Sequence, residues 1–331
     1  MKIAFFGTNS IQFGKVFSKD ILEELSKKYE ISERINKKNI ETYKGFLSDC
    51  EIAFATWGMP KFTEEEIKKY LPNLKALFYA EGTVQYFAKP FLNCAVRIFS
   101  AASVNAIPVA EYTFAQIALA AKGYFQSAKR YRLAPLHAFM FSDKSEGNFK
   151  AKVGLVGLGA IGSMVAEKLK ALDVEVFAYD PFVSPEKAKE LNVKLTDLDT
   201  LFTTCNVISN HLANKKELEN IYNYKLFSKM KKHSTFINTG RGAQVSEYAL
   251  ALSLIMHPSH TAVADVIKSE YFPYISPLFW CYNAILTPHI AGSMGKEPRR
   301  MAYYMIEALE KYLNNQSLSC EVTHESLEKM A

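Results

Sequence analysis

No stretch of this sequence is apolar for long enough to span a bilayer. The most hydrophobic run, 106–125, is broken by Pro108, Glu111 and Lys122, which excludes a transmembrane helix there. Cysteine is sparse, five in 331 residues, with no CxxC pair. That excludes a cysteine-ligated metal site and the dense disulfide framework of a small secreted domain. Cys50, Cys94, Cys205, Cys281 and Cys320 each lie among apolar neighbours, as buried free thiols in a reducing compartment do. Neither sign of charge dominates: 40 Lys plus Arg stand against 34 Asp plus Glu, a formal net charge of +6. The basic residues gather only in pairs such as Lys27-Lys28, Lys37-Lys38 and Lys231-Lys232, which suits helix surfaces and not a nucleic-acid groove. The opening MKIAFFGTNS lacks the apolar core and small-residue cleavage site of a signal peptide. Internal repeats and low-complexity tracts are missing too. These absences predict a cytoplasmic protein with neither membrane nor nucleic-acid partners.

What is present is the material of a folded chain. At 331 residues, 49% hydrophobic and 22% charged, it can build two domains with separate cores. Strand-like and helix-like segments alternate from end to end, the pattern of α/β architecture. Strands are predicted at 2–7, 52–56, 74–79 and 95–99, and Thr63 followed by Glu64, Glu65 and Glu66 opens a helix. Pro108 is expected in the first turn of a long apolar helix over 109–123. Residues 124–150 show no clear period and read as a connection, or as an arm reaching a second subunit. A second α/β unit begins at Ala151 and runs to about Gly292. Helical spacing returns over 297–314 through Met301, Met305, Ala308 and Leu309, and a polar tail follows.

The densest signal is VGLVGLGAIG, ending at Gly162. A strand precedes it, a helix-like run follows, and a second strand over 175–179 ends in Asp180. Gly157 permits the tight turn, Gly159 lets backbone amides approach a pyrophosphate, and Gly162 lets helix and strand pack closely. The helix N-terminus, with the amides of Ala160 and Ile161, adds unpaired N–H groups and a positive dipole end. Asp180 stands eighteen residues beyond Gly162, near the spacing of an acid that binds the adenosine ribose hydroxyls. An acid there repels a 2′-phosphate, so NAD is expected over NADP. The earlier Gly7, followed by Thr8-Asn9-Ser10, reads as an ordinary strand-to-helix turn.

Three later strands each run into a polar residue. FINTGRGAQV carries Arg241, AVADV carries Asp265 with Glu270 just beyond, and LTPHIAGS carries His289. In an open α/β sheet, ligands bind outside the carboxyl ends of the strands, so all three are expected to face one crevice. An arginine fork suits a carboxylate, a histidine suits proton transfer, and a glutamate can hold the imidazole and raise its pKa.

In this order and spacing the segments resemble the D-isomer-specific 2-hydroxyacid dehydrogenase family, most densely over 105–300. The resemblance implies two doubly wound parallel-sheet domains. A Rossmann cofactor domain (102–292) would be inserted into a flavodoxin-like substrate domain (1–101 and 293–331), with the active site in the cleft and a homodimer as the assembly. It implies an NAD-dependent oxidoreductase acting on a small 2-hydroxy or 2-keto acid. Arg241 would hold the substrate carboxylate, His289 would be the acid/base, and Glu270 would orient it. Asp265 would meet the nicotinamide end of the cofactor. His211, Leu212, Thr239, Gly240 and Gly292 would line the cofactor, and Gly82, Thr83, Val84 and Asn105 the substrate.

The chain departs from the family pattern in the substrate loop Ala80-Glu81-Gly82-Thr83-Val84-Gln85. Glu81 and Thr83 stand at the usual glycine positions and Gln85 replaces an acid. The segment Thr56-Trp57-Gly58-Met59 has none of the arginines that bind phosphate in phosphoglycerate dehydrogenases, so a non-phosphorylated substrate is expected. Two other readings stand beside this one. The first is a non-enzymatic NAD sensor resembling corepressors of the same fold. The second is a specialised dehydrogenase of the family, phosphoglycerate-, formate- or phosphite-oxidising.

Overall fold

One phenylalanine on each of four neighbouring strands marks the first sheet. In the computed structural model, which describes residues 1–329, the strands are β1 (Lys2–Phe6), β2 (Glu30–Ile35), β3 (Ile52–Ala55), β4 (Ala76–Tyr79) and β5 (Arg97–Ser100). Phe5 pairs with Phe54, Phe54 with Phe78, and Phe78 with Phe99, their ring centroids 5.5, 5.4 and 4.8 Å apart. Successive strand residues point to opposite faces, so Ala4, Ala53, Leu77 and Ile98 enter the core on the other side. The helix Pro298–Leu313 lays Met301, Met305 and Leu309 on the phenyl ladder. Both faces are therefore covered, as a parallel sheet requires. The strand order is β5-β4-β3-β1-β2, a flavodoxin-like doubly wound arrangement.

The second sheet contains β6 (Lys152–Val156), β7 (Glu175–Tyr179), β8 (Val193–Leu195), β9 (Val207–Asn210), β10 (Thr235–Asn238), β11 (Thr261–Ala264) and β12 (Ala284–Leu286). Its order is β12-β11-β10-β9-β6-β7-β8, parallel throughout. The chain runs outward from β6 to β8, then returns to β9 on the other side of β6. The space beyond the carboxyl ends of β6 and β9 is thus the topological switch point, where open α/β sheets bind ligands.

The chain divides into Met1–Ala106 with Ser293–Ala331, and Ile107–Gly292. The first division falls five residues beyond the expected 101/102. It lies inside a single helix, Ala102–Ala121, which contains Pro108 and was expected to start near it. The lost hydrogen bond at Pro108 is offset by the burial of Ala110, Ile117, Ala120 and Ala121 in the second core. The stretch read as a connection holds two helices, Tyr124–Leu133 and Pro135–Ser142. Leu133, Leu136, Phe139 and Met140 on them are exposed while Ala138 and Phe141 are buried, so the inward-facing period is too short to betray them. Part of the polar tail is structured as well. Glu321–Val322 pairs antiparallel with β5, and Glu321 accepts two 2.7 Å hydrogen bonds from Arg97. No helix of the described residues is long and apolar enough to cross a membrane.

Candidate functional site

Beyond β6, Gly157 turns the chain with φ +95°, and a Cβ there would lie 2.8 Å from the His211 carbonyl oxygen beyond β9. Gly162 is pressed harder: its Cβ would lie 2.0 Å from the Gly157 carbonyl oxygen. Protein atoms thus account for both glycines. Gly159 differs, because a Cβ there would meet no atom within 4 Å. It caps the helix Ala160–Leu169, whose first-turn N–H groups have no intrahelical acceptor. An open glycine before bare amides fits a dinucleotide pyrophosphate. Asp180, at the end of β7, accepts from the Leu158 N–H at 2.7 Å and the Phe182 N–H at 2.8 Å, so its carboxylate is tied to this turn. The His211 Nε2 is shielded from solvent without a hydrogen-bond partner. Burial pushes its pKa down to about 3, so the ring is neutral.

Behind the switch point lies a buried polar network that sequence reasoning missed. Asn210 and Asn238 end β9 and β10 in the same register. Asn210 Nδ2 donates to Asn238 Oδ1 at 2.9 Å and to Gln244 Oε1 at 2.7 Å, while its Oδ1 accepts from the Tyr222 hydroxyl at 2.8 Å and the Leu212 N–H at 3.1 Å. Asn238 Oδ1 also accepts from the Gly240 N–H at 3.1 Å, and Gln244 Nε2 reaches the carbonyls of Leu212 and Ala213. The loops after both strands are thereby cross-linked. A usable signal was present: two buried apolar strands each ending in asparagine, a residue buried only with partners. Thr239 bonds the buried Thr113 hydroxyl at 2.9 Å. Arg241 is exposed and donates from Nη1 to the Gly240 carbonyl at 2.8 Å, leaving other guanidinium N–H groups for an anion.

His289 and Glu270 come together as expected, with Nδ1 3.0 Å from the carboxylate Oε2 and both side chains partly exposed. A carboxylate only accepts, so Nδ1 carries the proton and Nε2 is the free end of the ring. His289 sits at φ +54°, a left-handed conformation that costs a non-glycine residue about 1–2 kcal/mol. Asp265 is fastened to the loop that carries His289. Its carboxylate is buried and accepts from the Thr287 hydroxyl at 2.6 Å and from the Ile290 and Ala291 N–H groups, each at 2.9 Å. Thr287 in turn lies 3.1 Å from the Tyr112 hydroxyl. Gly292 ends this loop, and a Cβ there would meet nothing within 4 Å.

In the first unit, the loop after β4 carries its own carboxylate. Glu81 Oε2 accepts from the Thr83 N–H at 3.0 Å, and Oε1 lies 3.4 Å from Asn105 Nδ2. The Thr83 amide, expected to serve a substrate, is engaged by the chain itself. Ser100 pins the loop by donating to the Glu81 and Gly82 carbonyls at 3.0 and 2.8 Å, and Val84 is buried.

Residues 123–291 match the family profile described as D-isomer specific 2-hydroxyacid dehydrogenase, NAD binding domain. A D-3-phosphoglycerate dehydrogenase from Archaeoglobus fulgidus is 40% identical over 140 residues, 42% of this chain and 27% of that protein. Matches to enzymes of that name take in less than a third of their length. An (S)-sulfolactate dehydrogenase from Chromohalobacter salexigens is 30% identical over 221 residues, 66% of this chain and 70% of that protein. The crystal structure of a D-isomer specific 2-hydroxyacid dehydrogenase from Lactobacillus delbrueckii ssp. bulgaricus, in its NAD complexed form, shares the fold. It has a TM-score of 0.75 at 22% identity and covers 98% of this chain and all of that one. The profile takes in half of the chain and the strand-end residues fall inside it, so the chain belongs to the D-isomer specific 2-hydroxyacid dehydrogenase family.

Proposed function

We propose that this protein is an NAD-dependent oxidoreductase that interconverts a small, non-phosphorylated 2-keto acid and its D-2-hydroxy acid. The observation that carries the reading is the His289–Glu270 pair, 3.0 Å apart, in the same unit as the glycine turn at the switch point. NADH bound along that turn would supply the hydride. Glu270 holds Nδ1, so Nε2 of His289 is the atom that gives a proton to the carbonyl oxygen during reduction and takes it back during oxidation. The free guanidinium N–H groups of Arg241 suit a carboxylate with two parallel hydrogen bonds. Asp180 favours NADH over NADPH, because a 2′-phosphate would meet a carboxylate.

The reading includes a homodimer, supported by the exposed apolar side chains of Leu133, Leu136, Phe139 and Met140 on two successive helices. It also includes a cytoplasmic setting, in which the buried thiols of Cys50 and Cys205 stay reduced. The test is NADH oxidation with a panel of 2-keto acids that includes one phosphorylated member, with His289→Ala and NADPH as controls. Turnover that needs NADH and is lost in His289→Ala is expected. NADH binding with no turnover of any keto acid would overturn the proposal in favour of a sensor.

A further inference from the structure

The hydroxyl of Thr287 has one proton, and at 2.6 Å it gives that proton to the carboxylate of Asp265, which can only accept. The Tyr112 hydroxyl, 3.1 Å from the same oxygen, is therefore the donor to Thr287. A directed chain results: Tyr112 on the helix Ala102–Ala121, Thr287 after β12, and Asp265 after β11. Asp265 completes its shell with the N–H groups of Ile290 and Ala291, and among the described residues no cation pairs with it. Its backbone carbonyl, with that of Thr287, accepts the His289 N–H, each at 3.0 Å. The residues on both sides of His289 are thus fastened to one aspartate, across His289 itself, held at φ +54°.

We propose that Tyr112 and Thr287 are positioning residues for His289, acting through the carboxylate of Asp265. The chain holds the left-handed conformation of His289, and that conformation delivers the ring to Glu270. No proton needs to travel along it; its work is to fix the loop. Asp265 belongs to this device, because its carboxylate bonds are directed to the loop that carries His289. The inference rests on His289 being the acid/base of the proposed reaction.

The test uses the full chain in NADH-dependent keto-acid reduction, with NADH affinity measured separately by fluorescence titration. Tyr112→Phe deletes one hydroxyl and keeps the ring. It is expected to lower kcat by about three- to tenfold, as the loss of one hydrogen bond implies, with the NADH Kd unchanged. Thr287→Val removes both the donor to Asp265 and the acceptor for Tyr112 and is expected to cost more, whereas Thr287→Ser restores kcat to within about threefold. Adding Tyr112→Phe to Thr287→Val is expected to change nothing further, because Tyr112 acts only through Thr287.

A second readout does not depend on turnover: the 15N shifts of the His289 imidazole, assigned by their loss in His289→Ala. They are expected to move in Thr287→Val and in Tyr112→Phe and to stay in place in Thr287→Ser. If the wild-type chain reduces no keto acid, the proposed reaction fails while these shifts still decide the positioning role. Unmoved shifts in Tyr112→Phe, additive losses in the double variant, or a loss confined to NADH affinity would overturn it. Should Thr287→Val not fold, Tyr112→Phe alone carries the decision.

Discussion

Alanine at Gly159 and at Gly162, introduced one at a time, separates a glycine that a ligand needs from one that the protein needs. At Gly162 the new methyl would lie 2.0 Å from the Gly157 carbonyl oxygen and 3.0 Å from its carbon. Both are backbone atoms of a tight turn, so the helix Ala160–Leu169 must shift by about 1.4 Å to regain ordinary contact. Overpacking of this kind costs about 1–3 kcal/mol, and better helix propensity returns up to about 1 kcal/mol. For a unit of this size the melting temperature should fall by about 2–8 °C.

At Gly159 the methyl meets no protein atom within 4 Å, and φ is −66°, which any residue adopts. The cost there is that of an altered helix cap, at most about 1 kcal/mol. A pyrophosphate seated on the first-turn amides would nonetheless collide with the methyl. Forfeiting one or two hydrogen bonds to a charged group, at about 1.5–3 kcal/mol each, weakens NADH binding by about 10- to 100-fold or more. Calorimetry and NADH fluorescence titration on the two variants and the wild type make the comparison. Gly159→Ala that melts like the wild type and still binds NADH with wild-type affinity would refute the placement of the cofactor on this turn.

Two further outcomes follow from buried polar groups. His260 is buried, and burial, then the neighbouring His257, hold its pKa at about 4 against an ordinary 6.5. Its contribution to stability is fully present above 6.5 and is lost as the pH falls toward 4, with His211 acting in the same direction. Urea midpoints measured across that range should decline, less steeply in His260→Gln; equal slopes in the two proteins would refute the assignment. Asn210→Leu strands Gln244 Oε1, the Tyr222 hydroxyl and the Leu212 N–H inside the second unit, at about 3 kcal/mol or more. A calorimetric loss below about 1 kcal/mol would mean that the network reorganises around the leucine.

Strands buried on both faces were readable because their sequences are nearly continuous apolar runs: β3 is IAFA and β4 is ALFY. β2, EISERI, escaped because it lies at the sheet edge, where charged side chains remain solvated. Pro108 misled for a different reason: local propensity places proline at a helix start, and core packing of the later turns outweighed it here. At the site, Arg241, Glu270 and His289 could be singled out because each has an unusual setting in the sequence. The Tyr112–Thr287–Asp265 chain could not, since its members are 175 and 22 residues apart and only the fold brings them together.

The first unit is built from two separated pieces of chain, and this matters while the protein is being made. Its phenyl ladder is covered by Met301, Met305 and Leu309, which leave the ribosome only after all of Ile107–Gly292. At about 5–20 residues per second, the wait between the last rung, Phe99, and its cover is about 10–40 seconds. During that interval the second unit can complete its own core from consecutive sequence, while the first holds an uncovered aromatic face. Chaperone demand in synthesis should therefore centre on the amino-terminal third, although in the finished protein its phenyl ladder is fully buried.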